Sequence, residues 1–193
     1  MPFDGKSNAS SRIWVGNADL PSLGEEVGAG FFLNRFLYLF GEELPKLQPC
    51  LRAWSFLLPP TGKERYVIGK NAYGSLLVIE DPNVHEELPV VGLLDTTTVE
   101  YWTEPDLVFP NLLGWWMPRK KLPNFFKTEL YDKWAAKSKE PLEVDEILGM
   151  TVPLSLGGTW NAKNFEVRDI VEYYETTGPT YKAAFDQMKK GTP

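Results

Sequence analysis

Residues Glu64 to Asp81 read ERYVIGKNAYGSLLVIED, and the architecture of the chain follows from how they are parsed. ERYVIG and SLLVIED are short runs rich in β-branched and aromatic residues, and KNAYG between them has the composition of a turn. The pattern predicts a β-hairpin spanning Arg65 to Glu80. A further strand is predicted over Pro89 to Leu94.

Upstream the apolar spacing changes. Phe32, Phe36 and Phe40 repeat every four residues with Leu33 and Leu37 beside them, and Gly41 follows, so a core helix is predicted there. Leu44 to Leu57 reads as a second helix, with Leu47, Leu51 and Trp54 on one face and Pro59-Pro60 closing it. After Pro105 helical spacing returns: Leu112, Leu113 and Trp116 share a face, as do Phe126, Leu130 and Trp134, with Glu129 and Lys133 as a surface pair. The basic run RKK at 119–121 lies between them. A last helix over Thr180 to Lys190 turns Tyr181, Ala184, Phe185 and Met188 inward. Together these elements predict an α+β fold: one domain over 1–193, an antiparallel sheet centred on the hairpin, helices packed on one face.

A chain of 193 residues with 43% hydrophobic and 13% aromatic content, seven Trp among them, can bury a substantial core. The one cysteine, Cys50, excludes a disulfide or multi-cysteine metal cluster within the chain and suits a reducing compartment. The densest apolar run, Gly28 to Phe40, is interrupted by Asn34 and Arg35 and is too short to span a bilayer. MPFDGKSNASSR does not have the pattern of a signal peptide, so a soluble cytoplasmic protein is expected.

The formal charge of -6 is unevenly distributed. Between Asn71 and Pro118 there is no Lys or Arg, while Glu80, Asp81, Glu86, Glu87, Asp95, Glu100, Glu104 and Asp106 all fall there. The segments on either side are each slightly basic, so all the excess negative charge sits in the middle.

Catalytic patterns are scarce. The single histidine, His85, lies in the polar turn PNVHEEL and reads as an exposed loop residue. Zinc needs several His or Cys ligands at short spacing, and no EF-hand or P-loop pattern stands in for them. Glu86-Glu87 read as solvated surface. Gly28-Ala29-Gly30 opens like a dinucleotide fingerprint but continues FFLNRF without its third glycine. Gly157-Gly158 follows the short run VPLSL and precedes polar TWNAKN with no Walker-spaced lysine, so it reads as a tight turn requiring positive φ. Neither a cofactor nor a metal is expected.

Three segments in order, LFGEELPKLQPCLRAW, VIGKNAYGSLLVIED and DEILGMTVPLSLGG, resemble the GAD-like immunity family, the conserved C-terminal domain of type VI secretion DNase immunity proteins. The hairpin motif is matched by Gly69, Lys70, Tyr73, Gly74 and Leu76. The closing motif is matched by Asp145, Glu146, Gly149, Met150, Pro153, Leu154, Leu156, Gly157 and Gly158. Lys70 stands where that family often carries Arg, and Met150 where it often carries an aromatic. The likeness covers roughly Phe40 to Tyr173, and residues 1–30 lie outside it.

The resemblance implies an inhibitor of a bacterial toxin and not an enzyme: a cytoplasmic immunity protein that occludes a cognate nuclease effector, touching neither nucleic acid nor membrane itself. An interaction module of the SMI1/KNR4-like kind, acting on another toxin class, is the nearest alternative, and a carboxylate-dependent small hydrolase the third. The charge pattern points the same way, because a nuclease presents a basic cleft to phosphates and an acidic partner is steered toward it. The partner-binding face is therefore expected to draw on Glu80, Asp81, Glu86, Glu87, Asp95, Glu100, Glu104 and Asp106, with Tyr101 and Trp102 as apolar anchors.

Overall fold

The computed structural model describes residues 14–15, 18–19, 28–80, 90–108, 111–112 and 126–191, with side chains described within that set from 28 to 103, at 111–112 and from 126 to 187. Strands β1 (Trp14–Val15) and β2 (Ala18–Asp19) pair with each other. A six-stranded antiparallel sheet follows in simple chain order: β3 (Gly30–Phe32), β4 (Leu37–Leu39), β5 (Arg65–Asn71), β6 (Leu76–Glu80), β7 (Val90–Asp95) and β8 (Glu100–Val108). The fold is α+β, and the hairpin read from 65–80 lies at the sheet's centre as β5 and β6.

The hairpin forms where local chemistry favours it. Asn71 Oδ1 accepts the backbone N–H groups of Tyr73 and Ser75, both at 3.0 Å, and the chain reverses through Gly74 at φ +87°. A bulge at Ile68 shifts the β5 register between Val67 and Gly69. Along β6 the side chains alternate: Leu76 and Val78 enter one core layer, Leu77 and Ile79 the other. Both faces are apolar, so both must be covered.

The first face is covered by the segment that was expected to be helical at Leu44 to Leu57 and by the C-terminal helix. The former is helical in three pieces: a 3₁₀ turn (Leu44–Leu47), α1 (Gln48–Ala53) and a second 3₁₀ turn (Ser55–Leu57). Pro45 and Pro49 each sit within the first two positions of their helices. Leu47, Leu51 and Trp54 are buried as their spacing predicts. Trp54, fully buried, packs its ring at a tilt against Tyr174, with centroids 4.7 Å apart, and donates its Nε1–H to the Tyr174 carbonyl at 3.2 Å. The Tyr174 hydroxyl donates to the Gly74 carbonyl at 3.0 Å, tying the helix to the hairpin turn.

The opposite face carries a second layer, with Phe36, Leu77, Ile79, Leu93, Phe126 and Tyr131 among its buried members. Helix α2 (Glu129–Ala135) lies over it. Strand β9 (Glu146–Met150) pairs with β10 (Phe165–Asp169) as a separate ribbon, docked on the hairpin by the Leu148 N–H donating to the Ala72 carbonyl at 2.7 Å.

Three sequence expectations are corrected. Phe32 to Phe40 is not a helix but the β3–β4 hairpin, turning through Leu33, Asn34 and Arg35 at φ +52°, +55° and +64°. Left-handed backbone at three non-glycine residues is unfavourable. Tertiary contacts offset it: Arg35 donates to the Leu142 carbonyl at 2.8 Å and stacks 3.8 Å from the Phe31 ring, and the Tyr131 hydroxyl donates to the Asn34 carbonyl at 2.9 Å. Strand β8 runs through Pro105 to Val108, where helix was expected to begin; as an edge strand it tolerates proline. Finally, the last helix, α3 (Ile170–Gly191), starts ten residues before Thr180, continues through Gly178-Pro179 and begins with the Asp169 carboxylate accepting the Glu172 N–H at 2.8 Å. Leu113, Trp116 and the RKK run lie outside the described residues, as does the Met188 side chain.

Gly157-Gly158 is a turn, as read. Gly157 ends the 3₁₀ segment Leu154–Leu156 at φ +90°, and a Cβ on Gly158 would lie 1.8 Å from the Val152 carbonyl oxygen. Gly28 to Gly30 leads into a strand and not a helix, so no phosphate-cradling helix start follows it.

Candidate partner-binding surface

The expected acidic residues map onto β6, β7 and β8, three neighbouring strands that end at a sheet edge. Among them, Asp81, Glu86, Glu87 and also His85 lie outside the described residues, and Glu104 and Asp106 are placed by backbone alone. The rest divide between two ends of this half-sheet. Ile79 pairs with Val91 and Leu76 with Leu94, so Glu80 sits at one end of β6 while Asp95 lies beyond the other. Glu80 and Asp95 therefore lie at opposite ends of this half-sheet.

Glu80 is also engaged internally. Opposite it on β5, Arg65 donates from Nη2 to Glu80 Oε1 at 2.6 Å and from Nε at 2.9 Å. Asp95 Oδ1 accepts from the Thr97 N–H and hydroxyl, both at 2.8 Å, and from the Ser75 hydroxyl at 3.3 Å, closing the β7–β8 turn. Glu100, across from Asp95 in the register, is exposed.

Tyr101 and Trp102 lie on opposite faces of the sheet, as consecutive strand residues do. Tyr101 packs on the layer with α1 and α3, and Trp102 on the layer with α2; both are half-buried. Burial raises the Tyr101 hydroxyl above its usual range.

Trp102 and Asp95 line the same cleft, of about 60 Å³, at the end of β7. Its aromatic walls are Tyr73, Trp102, Phe126 and Trp160, and its polar groups include Asp95 and Thr98. Thr98 Oγ1 is buried and has no hydrogen-bond partner among the described residues. Trp160 is held edge-on by Tyr73 at 5.2 Å and by Phe165 at 5.4 Å, and the Lys127 ammonium lies 5.5 Å from its ring centroid. The Tyr73 hydroxyl accepts from the Tyr131 N–H at 3.1 Å and donates to the Lys127 carbonyl at 3.0 Å, so this wall is fixed from both sides.

Sequence reading missed Trp160, Thr98 and Lys127, which come from three separate segments. The only local signal was an aromatic residue in the otherwise polar TWNAKN. A wider groove of about 550 Å³ lies beyond Trp160, beside Leu130 and Trp134, and is rimmed by Lys133 and Lys137.

Two other reactive groups are structural. Cys50 is buried, and burial pushes its thiol up to about 12, so no thiolate is populated near neutrality. Lys70, 2% exposed, donates to the Glu146 carbonyl at 2.6 Å, and burial pushes its ammonium down to about 7. Among the described residues no three His, Cys, Asp or Glu side chains gather as a metal cluster, and no helix is long and apolar enough to cross a membrane. In comparison with known proteins, the chain matches no family model and no curated protein.

Proposed function

We propose that the protein is a cytoplasmic immunity protein that binds a basic antibacterial toxin, a nuclease effector of the type VI secretion class, and neutralises it by covering its active surface. The observation that supports this reading is the location of the excess charge. Within the stretch without Lys or Arg the described residues form three contiguous strands, β6 to β8, the last a nine-residue edge strand that carries Glu100, Glu104 and Asp106. An acidic, preformed edge steers a basic partner at long range, and its backbone, which no further described strand pairs, can bond that partner at short range. The same charges and Pro105 discourage the edge from pairing with a second copy. The toxin class comes from the family resemblance of the hairpin and closing motifs.

The test is co-expression with toxins encoded beside it, scoring rescue of growth, followed by purification of the complex. Rescue with a stoichiometric complex supports the reading. Growth arrest that persists with every neighbouring toxin, with no complex recovered, overturns it.

A further inference from the structure

We propose that the cleft between Asp95 and Trp160 is a receptor for one arginine side chain of the partner protein. That the partner is a basic protein rests on the reading above; the cleft itself is argued from its own chemistry.

A cavity needs roughly 10–15 Å³ to hold one water, so about 60 Å³ admits about four to six water-sized groups. A guanidinium has four heavy atoms in a plane. The walls suit that plane, because they are aromatic and the π-face of a ring such as Trp160 attracts a weakly hydrated cation.

The polar groups suit it as well. The three hydrogen bonds that described residues donate to the Asp95 carboxylate all end on Oδ1, and Oδ2 has no partner among those residues. It is therefore available to accept a charge-assisted N–H. Thr98 Oγ1 is buried without a hydrogen-bond partner among the described residues, so it can accept a second N–H there. The cleft already handles positive charge: exposed Lys127 rests its ammonium against the Trp160 ring. Lys127 is the resident cation that an incoming arginine displaces.

The test titrates the full chain with N-acetyl-arginine methylamide and follows the indole N–H signals of Trp102 and Trp160 by NMR. Saturable shifts of those two signals are expected, with a dissociation constant on the order of 1 mM. N-acetyl-norleucine methylamide, which has the stem without the charge, is expected to leave them in place. Asp95→Asn keeps the Oδ1 acceptor of the turn and is expected to weaken binding about tenfold, by removing the charge. Lys127→Ala is expected to tighten it. Thr98→Val, nearly isosteric, reports on the hydroxyl without disturbing the turn and is expected to weaken binding severalfold.

The proposal is overturned by an absence of saturable shifts, by equal shifts with the norleucine probe, or by unchanged affinity in both Asp95→Asn and Thr98→Val. Because the probe is a small molecule, the outcomes separate. Loss of the arginine response while toxin neutralisation persists removes the pocket alone. An intact response without neutralisation removes the immunity reading alone.

Discussion

Arg65 and Glu80 face each other across β5 and β6 and close an ion pair at 2.6 Å, with the two side chains only 12% and 26% exposed. Thr61 adds a hydroxyl to the same carboxylate at 3.1 Å. A carboxylate from the acidic window is thus committed to holding the loop before β5 against the sheet. Glu80→Ala is expected to lower stability by about 1–2 kcal/mol in urea denaturation, since a charge-assisted network is lost. Its effect on toxin association is expected to be small, and a large loss of on-rate with unchanged stability would contradict this assignment.

Reversal of the edge-strand charges is expected to do the opposite. Glu100→Lys, Glu104→Lys and Asp106→Lys together should leave the folded state intact but slow association with the cognate toxin by about tenfold or more at low salt, with the difference shrinking as salt screens it. Stopped-flow measurements at two ionic strengths decide the matter. Equal on-rates for variant and parent would remove β8 from the interface.

Lys70 makes stability depend on pH. Its ammonium is buried with Arg35, Asp145, Glu146 and Asp169 around it, and desolvation outweighs the carboxylates, pushing it down to about 7 from an ordinary value of 10.5. Between those values the unfolded chain holds a proton that the folded chain has released. Stability therefore rises with pH from about 7 toward 9, by at most about 1.4 kcal/mol per pH unit. Above that range the buried tyrosines, whose hydroxyls burial raises, begin to oppose it. Urea midpoints measured across pH 6 to 9 should climb in the parent chain, and Lys70→Met should flatten the climb.

Trp54 joins α1, α3 and the sheet in one aromatic cluster, within about 6.4 Å of Tyr173, Tyr174 and Tyr181. Trp54→Ala is expected to cost about 3–5 kcal/mol, enough to unfold a marginal domain near physiological temperature. Calorimetry would show it as a lowered or absent transition.

Gly92 and Tyr101 are coupled. A Cβ at Gly92 would lie 2.0 Å from the Tyr101 hydroxyl oxygen and 2.4 Å from the adjoining ring carbon. Gly92→Ala is expected to cost about 1–3 kcal/mol in the parent chain and clearly less in a Tyr101→Ala background. A double-mutant cycle by chemical denaturation measures the difference, and additive effects would argue against the contact.

Much of the scaffold was legible in local pattern. The β5–β6 hairpin could be read because its turn chemistry lies within five residues and its strands are rich in β-branched side chains. Leu47, Leu51 and Trp54 were readable as one buried face because helical spacing survives the breaks between helical pieces. Gly157-Gly158 was readable as a turn because the missing features, a feeding strand and a lysine, are themselves local.

The β3–β4 hairpin was hidden. A strand buried on both faces shows no alternation, and phenylalanines four apart imitate a helix. Only pairing of Leu37 with Asn71 and the distant anchors Leu142 and Tyr131 make the turn at Leu33 to Arg35 tolerable. The charge asymmetry, likewise, belongs to composition and could be counted from the chain. Which carboxylates face inward, outward or toward an aromatic cleft could not, because Arg65 and Glu80 are brought together by strand register. That Asp95 and Trp160 line one cleft depends on the segment carrying Trp160 packing against Tyr73 on the sheet. Side-chain identity sets what a residue can bond to, but long-range packing chooses the partner.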